Sequence, residues 1–352
     1  MKSNNREVLI VDSTLRDGSH AMKHQFTVQD IVQYARGAEL AGTKILMVGH
    51  GNGLGASSLQ LGLSLVSDKE MLVAAKKQLK KTQLGAFLIP GFGTIKNDIE
   101  PAIVDYGVDV IMVACHCTEA NITRQHIQYA TKKNIKTYGV LMMSHMISAE
   151  ELLVQAKLME EYGVAGVLLM DSAGTYLPKD VSEKVSTLVK GLKVDVGFHA
   201  HNNLGMAVAN SLIAVESGAN ILDACSRGLG AGAGNCQLEV IAAVLNKVGI
   251  KTGLDLYQLM NNSENIIAKL MKAPIEINDI TLTSGLAGVF SGFAPHAKKA
   301  AIKFGIDVHD LLIELGKRKI IGGQEDIIID VANFLKQKKE FKDEDYQIES
   351  LL

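Results

Sequence analysis

The sequence predicts a (β/α)8 TIM barrel followed by a C-terminal helical domain. Three observations carry the prediction. Eight short aliphatic runs recur over roughly 250 residues, the span of such a barrel. The runs are continuous rather than alternating, as expected of parallel strands covered on both faces. Polar residues gather just after the runs, and in a barrel those positions share the C-terminal face, where active sites are built.

The first run, Val8–Val11, leads to Arg16 and Asp17. Lys44–Val48 leads to Gly49 and His50, Leu84–Ile89 to Pro90, and Val108–Ala114 to His116. Lys136–Met143 leads to Ser144 and His145, and Gly166–Met170 to Asp171 and Ser172. Val194–Phe198 leads to His199 and His201, and Asn220–Ala224 to Ser226 and Arg227. Between the runs, segments such as Asp30–Ala41, Glu70–Lys80 and Glu150–Glu161 have helical spacing. A doubly wound open sheet would call for a phosphate-binding glycine loop after the first strand, and Leu15-Arg16-Asp17-Gly18 is not one. After about residue 255 the strand rhythm stops, and Leu256–Leu270, Pro295–Phe304, Val308–Leu315 and Ile327–Lys336 read as helices. The division expected is a barrel over 1–270 and a helical domain over 271–352 that caps the active-site face and meets a partner; the tail beyond Lys336 reads as solvated.

Composition narrows the function classes. With 47% hydrophobic and 21% charged residues in 352, the chain can bury a large core. A net charge of -2 argues against an electrostatic nucleic-acid binder. No apolar stretch reaches the length of a membrane span, and the N-terminal residues carry no apolar signal core. Four cysteines are too sparse for a disulfide framework and read as reduced thiols. A cytoplasmic globular protein is expected.

His199-Ala200-His201 is the sharpest constellation. Residues two apart on a strand project to one face, so both imidazoles point into the barrel mouth. Asp17 reaches them across the mouth if the barrel closes, and two His with one carboxylate leave positions open on a divalent metal for substrate. Such a site suits Mn2+ or Mg2+, with Zn2+, Co2+ and Fe2+ also compatible with the spacing. Arg16 aims a permanent charge at the same cavity, where an oxyanion would develop. His20, three residues beyond Asp17, is placed to act as a base. Cys115-His116-Cys117 lacks the further soft ligands of a structural zinc site and a partner for nucleophilic work. The Gly228–Asn235 loop offers backbone amides to an anion but lacks the spacing of a dinucleotide fingerprint.

Asp12-Ser-Thr-Leu-Arg-Asp-Gly18, followed by His20, resembles the opening motif of the HMG-CoA lyase-like metal-dependent barrels. Gly49–Gly55, Ser144–Met146, Asp171–Gly174, His199–Gly205, Gly228–Asn235 and Gly322–Asp326 are similar to the 4-hydroxy-2-oxovalerate aldolase family within that superfamily. The resemblance implies Asp17, His199 and His201 as ligands of a divalent metal, usually Mn2+, with Mg2+ or Co2+ as substitutes. It implies a 4-hydroxy-2-oxo acid substrate held near Arg16, Asp17, Ser172 and His199, with His20 taking the C4 hydroxyl proton. Pyruvate and a short aldehyde would result, within aromatic meta-cleavage catabolism. It also implies an acylating acetaldehyde dehydrogenase that receives the aldehyde through a channel, in a homo- or hetero-oligomer.

Two positions depart from the family pattern. Phe290 stands where a Tyr contacts substrate, and loss of that hydroxyl is worth about 1 kcal/mol if its partner stays buried. Phe87 is bulkier than the usual aliphatic at a substrate-facing position. Claisen-type synthases joining an acyl-CoA to a 2-oxo acid carry a Glu-Arg pair in the glycine loop, and Gly228–Asn235 has Ala there. A non-catalytic scaffold is the remaining alternative; the joint presence of Arg16, Asp17, His20, His199 and His201 argues against it.

Overall fold

The computed structural model describes residues 7–349. The first six residues, on which most of the signal-core reading rests, lie outside them. Eight parallel strands close into a barrel in sequence order. They are β1 (Leu9–Leu15), β2 (Ile45–Val48), β3 (Gln83–Leu88), β4 (Val110–His116), β5 (Lys136–Met142), β6 (Gly166–Asp171), β7 (Asp195–Ala200) and β8 (Ile221–Ala224). β1 pairs with β8 over Leu9–Asp12 to complete the ring. Each strand lies where an apolar run predicts one, but β1, β4, β6 and β7 run on into Leu15, His116, Asp171 and Ala200. Hydrophobicity ends where the site begins, whereas the backbone ladder continues beneath the polar side chains.

The runs are continuous because they serve two cores. Val110, Met112 and Ala114 of β4 point inward with Val11, Met47, Phe87 and Val140. Ile111, Val113 and Cys115 point outward to the helices. The barrel helices are α1 (Val28–Leu40), α2 (Asp68–Lys76), α3 (Glu100–Val104), α4 (Arg124–Lys132), α5 (Ala149–Tyr162), α6 (Pro178–Gly191), α7 (Ala207–Glu216) and α8 (Leu238–Lys247). Thr27, Ser67 and Ser148 form capping boxes that start α1, α2 and α5.

α9 (Leu256–Asn262) continues through a π turn at Ser263–Ile267 into α10 (Ala268–Leu270). This segment packs on the barrel: Asn262 Nδ2 donates to Tyr34 O at 3.2 Å, and a Cβ at Gly37 would fall 2.1 Å from Asn262 Oδ1. Four helices follow, α11 (Asp279–Ala287), α12 (Ala294–Phe304), α13 (Val308–Lys317) and α14 (Glu325–Glu349). α12 to α14 enclose a separate core around Phe293, Leu311, Leu315 and Val331. α11, not foreseen, is rich in Thr, Ser and Gly, poor helix formers, and is delimited by its Asn278 cap and left-handed Gly288. α14 extends well past Lys336, and Gln337–Glu340 are exposed. No helix among the described residues is long and apolar enough to cross a membrane.

The helical domain is fastened to loops on the C-terminal side of the barrel. His145 Nε2 donates to Gly288 O at 3.0 Å, and Ser291 N donates to Ser172 O at 3.0 Å. Asn203 Nδ2 donates to Thr281 O at 3.0 Å, and Gln60 Nε2 donates to Glu325 Oε2 at 2.6 Å. The domain therefore sits over the barrel mouth.

Candidate metal centre

Asp17 opens the 3-10 turn Asp17–Ser19 directly after β1, while His199 lies on β7 and His201 just beyond it. One potential ligand atom from each lies within 4.8 Å of the others, and all three residues are buried. His199 Nε2 is 3.9 Å from Asp17 Oδ2. Both ring nitrogens of His199, and Nδ1 of His201, have no hydrogen-bond partner. Unpaired buried polar atoms are rare, and here they converge beside a carboxylate, which is a donor set for a cation. Burial alone would raise the Asp17 pKa, but the Arg16 guanidinium, with His201 and His199, holds it well below the usual carboxylate range. Burial pushes His201 down to about 4. Both residues thus stand in the protonation state a metal requires.

Arg16 is 2% exposed and clamped on several sides. Nη1 donates to Asp17 Oδ2 at 2.6 Å and to Gly51 O at 3.4 Å, and the guanidinium lies 4.3 Å from the centroid of the Phe87 ring. Nε and Nη2 make no hydrogen bond although buried. They are donors held ready at the mouth. Phe87, expected to face substrate, is 2% exposed and points into the barrel among the residues that fill it. One face of its ring lies against Arg16, so it backs the cation.

His20 is half-buried, its ring so close to Gly51 that a Cβ there would fall 2.4 Å from Nε2. Burial lowers its pKa, partly opposed by Asp17, so the ring is neutral and able to accept a proton. Ser172 Oγ accepts the Met143 N–H at 2.9 Å, leaving its hydroxyl hydrogen to donate. Phe290, half-buried, packs edge-on to Phe293 at 5.5 Å and lines a cavity of about 190 Å³ with Asn52, Leu61, Pro90, Met142 and Met143. The Gly228–Asn235 loop has part of its amides taken up by the backbone. Those of Gly228, Leu229, Gly234 and Asn235 are bonded to nearby carbonyls. Its work is to bring Asn235 Nδ2 2.8 Å from Asp17 Oδ1. Cys117 is no nucleophile, because burial pushes its thiol up to about 12.

Sequence reasoning missed Asp223, Asn235 and His24. Asp223 had a signal: it is the one charged residue inside the apolar β8. His24 stacks on His50 at 3.7 Å and lies 5.1 Å from His20. His50 Nδ1 accepts the Asn52 N–H at 3.0 Å and its Nε2 donates to Gly62 O at 3.0 Å, which pins the loop after β2. Burial lowers His24 to about 2 and His50 to about 4, from an ordinary 6.5. Unfolded chains take up these protons below about pH 6.5 and the fold does not, so the stabilisation present above that pH is lost as pH falls toward 4. His50→Gln is expected to flatten the decline of Tm between pH 6.5 and 4; parallel melting curves for both proteins would contradict this.

Residues 7–266 match the HMGL-like family, and residues 275–337 match the DmpG-like communication domain. The chain belongs to the HMGL-like family. Within this HMGL-like group it is 48% identical over 336 residues to the 4-hydroxy-2-oxovalerate aldolase of Spirochaeta aurantia, covering 96% of this chain and 98% of that one. With the 4-hydroxy-2-oxovalerate aldolase of Geobacillus genomosp. 3 it shares 49% identity over 332 residues, 94% of this chain and 98% of the relative. The carboxyl transferase domain of Rhizobium etli pyruvate carboxylase with pyruvate shares the fold at a TM-score of 0.80 and 16% identity, over 96% of this chain and 62% of that one. The HMGL-like chain thus groups with aldolases, and these relatives favour that reading over the Claisen-type synthase.

Proposed function

We propose that the protein is a divalent-metal-dependent aldolase that cleaves 4-hydroxy-2-oxo acids, such as 4-hydroxy-2-oxopentanoate, to pyruvate and a short aldehyde, here acetaldehyde. The carrying observation is the meeting of Asp17, His199 and His201 within 4.8 Å beside the buried, incompletely paired Arg16. Those three residues would hold the ion, Mn2+ first and Mg2+ or Co2+ as substitutes, and when bound it would supply Lewis acidity to the 2-oxo acid. His20 takes the C4 hydroxyl proton as C3–C4 breaks. Arg16 stabilises the charge that develops on the enolate oxygen, held at its angle by Phe87. Ser172 donates to the keto acid from its buried hydroxyl. Phe290 borders the aldehyde end, where a Tyr would add a donor that this chain lacks.

The DmpG-like match over 275–337 and the placement of the helical domain over the mouth support an acylating acetaldehyde dehydrogenase as partner, in a homo- or hetero-oligomer. We place the division at residues 270 and 271, between the catalytic barrel and a domain that caps the site, reaches it with Phe290 and meets the partner. Aromatic meta-cleavage catabolism and substrate channelling follow from the same reading. Four free, buried thiols suit a reducing cytoplasm. Purified protein given Mn2+ and 4-hydroxy-2-oxopentanoate is expected to release pyruvate, followed with lactate dehydrogenase, and EDTA to abolish the release. No pyruvate from any 4-hydroxy-2-oxo acid, with metal bound, would refute the aldolase. Phe290→Tyr run on the same substrates separates a change of specificity from one of rate alone.

A further inference from the structure

Asp223 is 1% exposed inside the barrel, and a carboxylate buried so deeply is costly unless it is paired. Its two oxygens face different members of the site. Oδ1 lies 3.3 Å from His199 Nδ1, and Oδ2 lies 3.6 Å from Arg16 Nη2. We infer that Asp223 is a positioning residue that keeps the His199 proton on Nδ1 and fixes the far edge of the Arg16 guanidinium. The inference rests on the metal-dependent reading above.

A neutral imidazole carries one proton, and a carboxylate beside Nδ1 keeps it there. The lone pair then belongs to Nε2, the nitrogen that faces Asp17 Oδ2 across 3.9 Å. Neither ring nitrogen makes an aligned hydrogen bond, so Asp223 acts on Nδ1 as the charge 3.3 Å away. The same carboxylate makes the ring a stronger donor. On its other side, Arg16 spans two carboxylates, Nη1 on Asp17 and Nη2 toward Asp223, with its face on Phe87. One side chain thus orients a ligand and the neighbouring cation together, by way of a strand that contributes no ligand itself.

Asp223→Asn tests the charge with little change of shape. An amide can turn its N–H₂ toward His199 Nδ1 and drive the proton to Nε2, where it blocks the lone pair. Burial alone would lower the His199 pKa, but Asp223 and Asp17 hold it above the ordinary imidazole range. In metal-free protein at a pH high enough to leave one proton on the ring, nitrogen–proton correlation spectra are therefore expected to show His199 protonated on Nδ1. In Asp223→Asn the proton should move wholly or partly to Nε2. Calorimetric titration with Mn2+ alone is expected to show 10- to 100-fold weaker binding in the variant. Asp223→Glu, which retains the carboxylate, should recover most of that affinity, and it serves as the second variant if Asp223→Asn does not fold. Equal losses in Asn and Glu variants, or Mn2+ binding within twofold of the parent with an unchanged tautomer, would overturn the inference alone. A parent protein that binds no Mn2+ would overturn it together with the metal reading.

Discussion

Asp17→Asn is expected to reduce pyruvate release by about 10³-fold or more while leaving the barrel folded. The substitution keeps the shape of the side chain and one acceptor oxygen, which can serve Asn235 Nδ2, now 2.8 Å from Oδ1, or Arg16 Nη1, now 2.6 Å from Oδ2, but not both. What disappears is the negative charge facing His199 and His201. A cation site reduced to two neutral imidazoles beside an arginine is electrostatically hostile to a divalent ion. Loss of a Lewis acid removes several kcal/mol of transition-state stabilisation, which sets the magnitude. The pH dependence of stability should change as well. Asp17 ionises more readily folded than unfolded, so the stability it contributes is present above its ordinary range and lost as pH falls. The variant should therefore melt below the parent at neutral pH, with the gap closing in acid. Coupled assay, Mn2+ calorimetry and melting curves check the three parts; activity near the parent's would remove Asp17 from the metal centre.

The barrel was legible because burial on both faces imposes continuous apolar runs, and eight of them in parallel have one closed solution. Strand ends were not, since Asp171 and His199 are strand residues by backbone pairing and polar by chemistry. The helical segment after residue 255 was recognised, but its periodicity carries no information about its neighbour, and α9 docks on α1 of the barrel. The His199–His201 pair and Asp17 were readable from alternation on one strand and position after another. Asp223 faces His199 through the pairing of β7 with β8, but Asp223 meets Arg16, and Asn235 meets Asp17, only because β8 closes on β1. The direction of Phe87, near the end of β3, is set by strand pairing. Strand register turns its ring inward under Arg16, and a one-residue difference in register would have turned it to the helices.

Arg16→Lys is expected to lower kcat by about 10²- to 10³-fold with a smaller change in KM. Lysine keeps the charge but is a point donor on a flexible stem. It cannot bond Asp17 and reach toward Asp223 at once, and it lacks the planar face that lies on Phe87 at 4.3 Å. Nε, and the Nη2 hydrogen not turned toward Asp223, are the donors left for a developing oxyanion, and neither has a counterpart in lysine. If Arg16 served only to bind the ground-state carboxylate of the keto acid, KM would rise and kcat would hold. If it stabilises charge formed as C3–C4 breaks, kcat falls, and free guanidinium added to Arg16→Ala should restore part of the rate without restoring Mn2+ affinity. The alanine variant also leaves Asp17 and Asp223 as buried carboxylates with less compensation, so its melting temperature must be measured alongside. A KM effect alone, in a variant that melts like the parent, would make Arg16 a binding group and leave the enolate to the metal.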